Sequence, residues 1–325
     1  MIYNKITSIG VGLTSKCNLN CPHCYSKRMK QGFLSIDDIY KILEKFPNLR
    51  KVNFGTGESI LNKDFLKIID IFHDKSIEMG LTTNSYTISQ LSNEDLVKFK
   101  DIDVSLDFPV AHLHDQWRGK RGTFNNAIRA IQRCSRLKIN VSIALALMNI
   151  NYKFLPRFKK LIDKYDAFLR INLYKPVYTK KYLLTYDQFW QAIELLADNF
   201  TLVSNSEPIL SLVIDSKMKG APCGKSVRIH PDMTISPCVY LTNKICDVET
   251  FNMYKKQIPK ECKNCRFLES CNGGCLARRI LTQGYSYSDL YCPIVNKKSI
   301  PNIKFKKSKY KDLIHSAYLC TIILK

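Results

Sequence analysis

"SKCNLNCPHCYSK", Ser15 to Lys27, carries Cys17, Cys21 and Cys24 in a C-x3-C-x2-C arrangement. A closed structural metal site takes four protein ligands, and this loop supplies three. It follows "ITSIGVGL" (Ile6–Leu13), an apolar run that reads as a strand. What the fold is turns on whether the rest of the chain repeats this strand-then-loop order.

It does. Ser35–Phe46 reads as a helix opened by Ser35 with Asp38 three residues on. Arg50–Phe54 reads as a strand, Asp64–Lys75 as a helix, Ile77–Thr83 as a strand and Ser92–Phe99 as a short helix. Ile102–Leu106 is expected as a strand and Thr123–Arg136 as a helix bearing Cys134. Ile139–Leu147 is apolar on both faces, as a parallel strand under helices requires. Tyr152–Tyr165 reads as mainly helix with Pro156 in its first turn. Ala167–Tyr174 is a sixth strand, and Thr185–Phe200 a helix with Thr185 and Gln188 as a capping box. Six such units predict an α/β fold, a parallel sheet with helices outside. Chemistry in such folds sits in the loops after the strands. Gly55–Ser59 ("GTGES") follows the second strand, and Thr83 and Asn84 end the third. Ser105–Asp107 ("SLD") ends the fourth, Asn149 follows the fifth and Tyr174–Pro176 ("YKP") the sixth.

The chain of 325 residues, 45% hydrophobic and 24% charged, has an ordinary globular composition. Its net charge of +22 is not ordinary. It reflects either a lysine-rich composition or an acidic partner: an anionic substrate, an acidic peptide or an acidic redox protein. No interleaved basic and aromatic motif points to nucleic acid. "MIYNKITSIGVGL" has no basic n-region with a long apolar core, and "VSIALALM" (Val141–Met148) is too short to span a bilayer. A cytoplasmic location is expected, and thirteen cysteines there point to metal or redox chemistry.

Nine of those cysteines follow residue 220, where helical periodicity fades. The expected organisation is a strand–helix domain over 1–200, a linker over 201–221, a cysteine-rich module over 222–295 and a basic tail over 296–325. The tail's lysines read as a solvated face or a binding arm. "ECKNCRFLESCNGGC" sets Cys262, Cys265, Cys271 and Cys275 as C-x2-C-x5-C-x3-C, with Cys292 in "DLYCP". Upstream, Cys223 and Cys238 bracket "GKSVRIHPDMTISP". Cys134, Cys246 and Cys320 read as structural. Zinc would suit either set, with His23 or a distant residue completing the first. Three thiolates can instead hold three irons of a four-iron cubane and leave the fourth iron open.

"CNLNCPHCY" resembles the cluster loop of the radical S-adenosylmethionine (SAM) superfamily. The resemblance implies a partial (β/α)6 TIM-type barrel, with Cys17, Cys21 and Cys24 as iron ligands. "GTGE" is similar to the segment that meets the methionine amino group, which implies that role for Gly55, Gly57 and Glu58. Asn84, Ser105 and Asp107 resemble polar residues lining the SAM site. "HDQWRGKRGTF" resembles a stretch of one branch of the family and makes Arg118 a SAM or substrate contact; otherwise it is a helix-entry loop with a surface arginine.

The second set resembles the small SPASM domain, a seven-cysteine module. It implies two auxiliary four-iron clusters, one on Cys223, Cys238 and Cys275, the other on Cys262, Cys265, Cys271 and Cys292. With the SAM cluster that makes three, and the fourth ligand of the first auxiliary cluster is not evident. Met233 stands where the family has a glycine, so the turn there is expected to use another geometry, with Asp232 at positive φ. Val239 replaces the aspartate base of the sulfatase-maturing branch.

The function implied is hydrogen abstraction by a 5′-deoxyadenosyl radical in oxidative modification of a ribosomally made peptide. A small anionic substrate is the alternative, and a non-catalytic metal-binding interaction protein a remote one. The implied electron donor is an acidic ferredoxin or flavodoxin, with no membrane partner. With 16 residues before Cys17, no winged-helix leader-binding domain is expected there.

Overall fold

A computed structural model describes residues 2–27, 29–214, 226–241, 252–253, 257–310 and 320–325. Cys223 and Cys246 lie outside the described residues. Six parallel strands form the centre: β1 (Ser8–Val11), β2 (Lys51–Phe54), β3 (Glu78–Thr83), β4 (Phe99–Ser105), β5 (Asn140–Leu147) and β6 (Phe168–Leu173). They lie in sequence order, each joined to the next by helix-containing segments, as right-handed crossovers demand. The helices are α1 (Ile36–Lys45), α2 (Phe65–Asp74), α3 (Tyr86–Gln90), α4 (Asn93–Leu96), α5 (Ala111–Arg118), α6 (Thr123–Arg136), α7 (Lys159–Tyr165) and α8 (Tyr186–Asn199).

The local signals act where their chemistry is local. Ser35 and Asp38 exchange side-chain and backbone hydrogen bonds at the start of α1, and Thr185 and Gln188 do so at α8. The apolar faces of α2 (Phe65, Ile68, Ile69, Phe72) and α6 (Ala127, Ala130, Ile131, Cys134) are buried on the sheet. Pro156 lies inside a 3-10 helix (Tyr152–Phe158) that precedes α7, not in the first turn of a single α-helix. Proline lacks the N–H an α-helix needs there, so the chain takes the tighter turn.

The sheet extends beyond six strands. β7 (Thr201–Asn205) falls within the span expected as linker. β8 (Val227–Ile229) pairs parallel to β1 and is paired by β9 (Ile235–Ser236), so the cysteine-rich part shares the barrel's sheet. The lysine-rich end is not simply a solvated tail. β10 (Lys306–Lys307) pairs β7, and β11 (Thr321–Leu324) inserts antiparallel between β6 and β7. Ile322, Ile323 and Leu324 are fully buried, about 1.5–3 kcal/mol of burial each; an apolar "TIILK" was worth more inside than the lysines before it were worth outside.

At the β8–β9 turn, Met233 itself takes the positive φ (66°), and Asp232 does not. The Asp232 carboxylate accepts from Thr234 N (3.1 Å) and Thr234 Oγ1 (2.6 Å), while Met233 N donates to His230 O (2.9 Å). These bonds and the packing of Met233 on the core offset the left-handed cost of roughly 1–2 kcal/mol.

Candidate active site

The loops after β1, β2, β3, β4 and β6 open onto one cleft. Cys17, Cys21, Cys24, Gly55, Gly57, Glu58, Asn84, Ser105, Asp107 and Arg118 all line it. Asn149 does not; its side chain donates to Lys181 O (2.9 Å).

Each of the three sulfurs has a polar neighbour from the chain. Cys17 Sγ accepts from Leu19 N (3.4 Å) and Asn84 Nδ2 (3.5 Å). Cys21 Sγ accepts from Arg118 Nη1 (3.7 Å), and Cys24 Sγ lies 3.1 Å from Ser26 Oγ. Burial pushes the Cys17 thiol up to about 11 and raises Cys21, so these two sulfurs keep their protons until a metal binds. Donors aimed at sulfur suit an iron–sulfur cluster, whose potential such bonds tune. Among the described residues no three His, Cys, Asp or Glu side chains converge on a single metal ion. A cubane asks for a wider triangle, because each thiolate binds its own iron. His23 is turned away from a zinc role: its ring stacks on Trp117 (5.1 Å between centroids) with Nε2 3.7 Å from Asp107 Oδ2. Burial lowers His23 to about 4.

Gly57 makes the cradle. It sits at φ 61°, and a Cβ there would collide with the carbonyls of Thr14 and Lys16. Only glycine lets "GTGE" press this closely on the strand that launches the cysteine loop. Glu58 is buried behind it with both oxygens engaged. Oε1 accepts from Thr83 Oγ1, Thr87 N (2.8 Å) and Thr87 Oγ1 (2.5 Å), and Oε2 from Asn84 N (3.0 Å). Through these bonds the carboxylate ties the end of β3 to the loop after β2, while the residue also lines the cleft. Asp107 and Arg118 are likewise committed. Arg118 Nη2 pairs with Asp107 Oδ2 (2.7 Å), and Asp107 Oδ1 accepts from Ala146 N (3.0 Å). Burial alone would raise Asp107, yet Arg118, then His23 and His114, hold it below the usual carboxylate range. Arg118 is buried, not a surface residue. It is set by α5, whose Asp115 caps α6 through Phe124 N (2.8 Å) and Thr123 Oγ1 (2.8 Å).

The second cysteine set divides in two. Cys262, Cys265, Cys271 and Cys292 surround one small, almost wholly apolar pocket. Cys275 faces away from them, with Cys238 and Cys320 beside it. Gly274 (φ 89°) has no room for a Cβ because Asp289 lies against it, and Asp289 Oδ2 accepts from Cys275 N (2.9 Å). Arg278 joins Asp289 to Glu207 (2.7 Å), and Tyr291 stacks on Phe189 of α8 (4.1 Å). These contacts dock the module on the barrel.

Sequence reasoning passed over Arg228 and Tyr240 and reached Lys175 only as part of "YKP"; all three line the cleft. Arg228, on β8, donates to Gly55 O and Thr56 Oγ1. The available signal was a lone charge inside the apolar "SVRI". Deeper in the barrel, Arg170 of β6 pairs with Asp101 (3.2 Å) and Asp103 (2.8 Å) of β4.

Residues 11–161 match the family described as Radical SAM superfamily. Mycofactocin maturase MftC of Mycobacterium tuberculosis is 27% identical over 317 residues, covering 83% of this chain and 78% of its own. The antilisterial bacteriocin subtilosin biosynthesis protein AlbA of Bacillus subtilis is 23% identical over 244 residues, 70% of this chain and 53% of its own. The fold is similar to that of Streptococcus suis SuiB bound to precursor peptide SuiA, with TM-score 0.70 at 16% identity over 88% of this chain and 76% of that one. It is also similar to anSMEcpe with bound AdoMet, with TM-score 0.70 at 18% identity over 89% and 95%. No helix among the described residues is long and apolar enough to cross a membrane. The radical SAM family implies SAM and a four-iron cluster, and the cysteine loop, its sulfur donors and the Gly57 cradle fit that pair. This chain carries a radical SAM domain over residues 11–161 and is similar, along most of its length, to peptide-maturing radical SAM enzymes.

Proposed function

We propose that the enzyme oxidatively modifies a ribosomally synthesised peptide. The observation that carries this is the single cleft in which three thiols, the Gly57 cradle, Asn84 and Ser105 meet. In support, the relatives include a maturase and a bacteriocin biosynthesis protein, and a structure of the same fold holds a precursor peptide. Cys17, Cys21 and Cys24 would hold three irons of the cluster. The Gly55–Gly57 backbone would receive the methionine amino group, and Asn84 and Ser105 other polar parts of SAM. A reduced cluster with SAM bound supplies a 5′-deoxyadenosyl radical that takes a hydrogen atom from unactivated carbon.

The chain's residues hold that chemistry in place. Arg118 steadies Cys21 and Asp107 together, Glu58 orders the β3 end, and neutral His23, backed by the Trp117 ring, lines the cleft. Residues 222–295 would act as the auxiliary module. Cys262, Cys265, Cys271 and Cys292 would hold one four-iron cluster, and Cys223, Cys238 and Cys275 would serve a second. The charge of +22 suits an acidic ferredoxin or flavodoxin as electron donor.

Anaerobic reconstitution tests this. About twelve irons per chain are expected for three four-iron clusters. The Cys17→Ala/Cys21→Ala/Cys24→Ala variant should lose one cluster's iron and all SAM cleavage. Deuterium from a labelled precursor peptide should appear in 5′-deoxyadenosine. Zinc in place of iron would overturn the cluster reading, and deuterium arriving only from a small anionic substrate would overturn the peptide. Turnover driven by the protein donor should fall with salt more steeply than turnover driven by dithionite.

A further inference from the structure

The seven-cysteine pattern leaves the first auxiliary site a ligand short. Of its expected thiols, Cys238 and Cys275 are among the described residues, and Cys238 and Cys320 both pack against the small apolar cluster that holds Cys275. Cys320 is close enough to Cys275 for a side-chain hydrogen bond between the two sulfurs. Its place is set by the sheet. Thr321, the next residue, opens β11 and pairs with Asn172 near the C-terminal end of β6. Ile322, Ile323 and Leu324 lock that register by burial, so Cys320 emerges where β6 ends and Lys175 follows.

Lys175 is the second, independent observation. Its side chain is 1% exposed and its ammonium makes no hydrogen bond. The nearest carboxylate, on Glu207, stands 3.7 Å away and is also engaged by Arg278. Apart from that shared carboxylate the ammonium faces the Tyr240 ring (5.5 Å to its centroid); a buried cation so placed favours a further anionic neighbour, and a thiolate-ligated iron–sulfur cluster is one.

We propose that Cys320 is a thiolate iron ligand of the first auxiliary site, joining Cys238 and Cys275. The Cys320 thiol would give up its proton as its sulfur binds iron, and Lys175 would balance the resulting negative charge. This rests on the reading of the second module as a holder of iron–sulfur clusters. The site then contains a ligand delivered by the last strand of the sheet, so cluster binding and closure of that strand between β6 and β7 support each other.

The test uses the full chain with Cys17→Ala/Cys21→Ala/Cys24→Ala, so that only auxiliary iron is counted. About eight irons are expected in this background. Adding Cys320→Ala or Cys320→Val should remove up to half of them or change the EPR signal of the dithionite-reduced protein. In the unsubstituted protein, iodoacetamide should modify Cys320 after iron removal and spare it when iron is bound; this arm holds even if a variant fails to fold. Eight irons, superimposable spectra and iron-independent alkylation would overturn the Cys320 assignment alone. A background protein without auxiliary iron would overturn the module reading and this assignment with it.

Discussion

Cys17, Cys21 and Cys24 come from one short loop, whereas Cys238, Cys275 and Cys320 come from three distant parts of the chain. The first set is arranged by its spacing, and tertiary structure adds mainly the donors at its sulfurs, Asn84 and Arg118. The second is arranged by the sheet: β8 and β9 lead to Cys238, a Gly274 turn held by Asp289 presents Cys275, and β11 follows Cys320. A loop-built site should therefore be broken by local strain, and a sheet-built one should not notice it.

The sharpest break is Gly57→Ala. The new Cβ would meet two backbone carbonyls at a left-handed φ, and strain and overpacking each cost roughly 1–3 kcal/mol. SAM cleavage should fall by about 100-fold or more, as a displacement worth ~2.7 kcal/mol at the reacting centre would give. Iron on the second set should be unchanged. Retained cleavage would mean that the cradle does not shape the first site.

Glu58→Ala should act more gently and on the same side of the comparison. It strands the donors of Thr83, Thr87 and Asn84, at about 1–3 kcal/mol. Titration should show SAM affinity weakened about tenfold with iron content intact. Unchanged affinity would confine Glu58 to holding the fold.

Asp101→Asn should touch neither set and report only on the barrel interior between them. Burial pushes the Asp101 carboxyl up to about 7, against Arg170's opposing charge, from about 3.9 in an unfolded chain. Between those values the native state binds a proton the unfolded state has released. Its contribution is thus full below about pH 4 and is lost as pH rises through 7. The asparagine mimics the protonated form, so the variant's melting temperature should rise relative to the parent's from pH 5 to pH 8. A difference constant with pH would show that Asp101 does not titrate in this range.

Much of this was legible early because it was local. The cysteine loop, the capping pairs Ser35/Asp38 and Thr185/Gln188, and the α6 limits Thr123–Arg136 are each decided by residues a few positions apart. Two of the readings that needed the structure depended on distant partners, and one on the detailed geometry of a tight turn. The surface reading of Arg118 fails because Asp107 takes the guanidinium into the buried wall of the cleft. Glu58 could be placed at the cleft from its motif, but not its four bonds to the end of β3 and the start of α3, which join residues about 25 positions apart. Met233 sits at positive φ because bonds from His230 and Asp232 hold the turn around it.

The sequence by itself determined the strand–helix order, the three-thiol loop and the existence of a second cysteine set, because periodicity and spacing encode contacts between near neighbours. Tertiary structure alone decided that the lysine-rich end returns as β11, that Arg228 reaches back to Gly55, and that Cys320 meets Cys275. Those contacts join segments far apart in the chain. They hold because burying Ile322–Leu324 and completing the backbone pairing of β6 and β7 outweigh the entropy of closing so long a loop, which grows only slowly with its length.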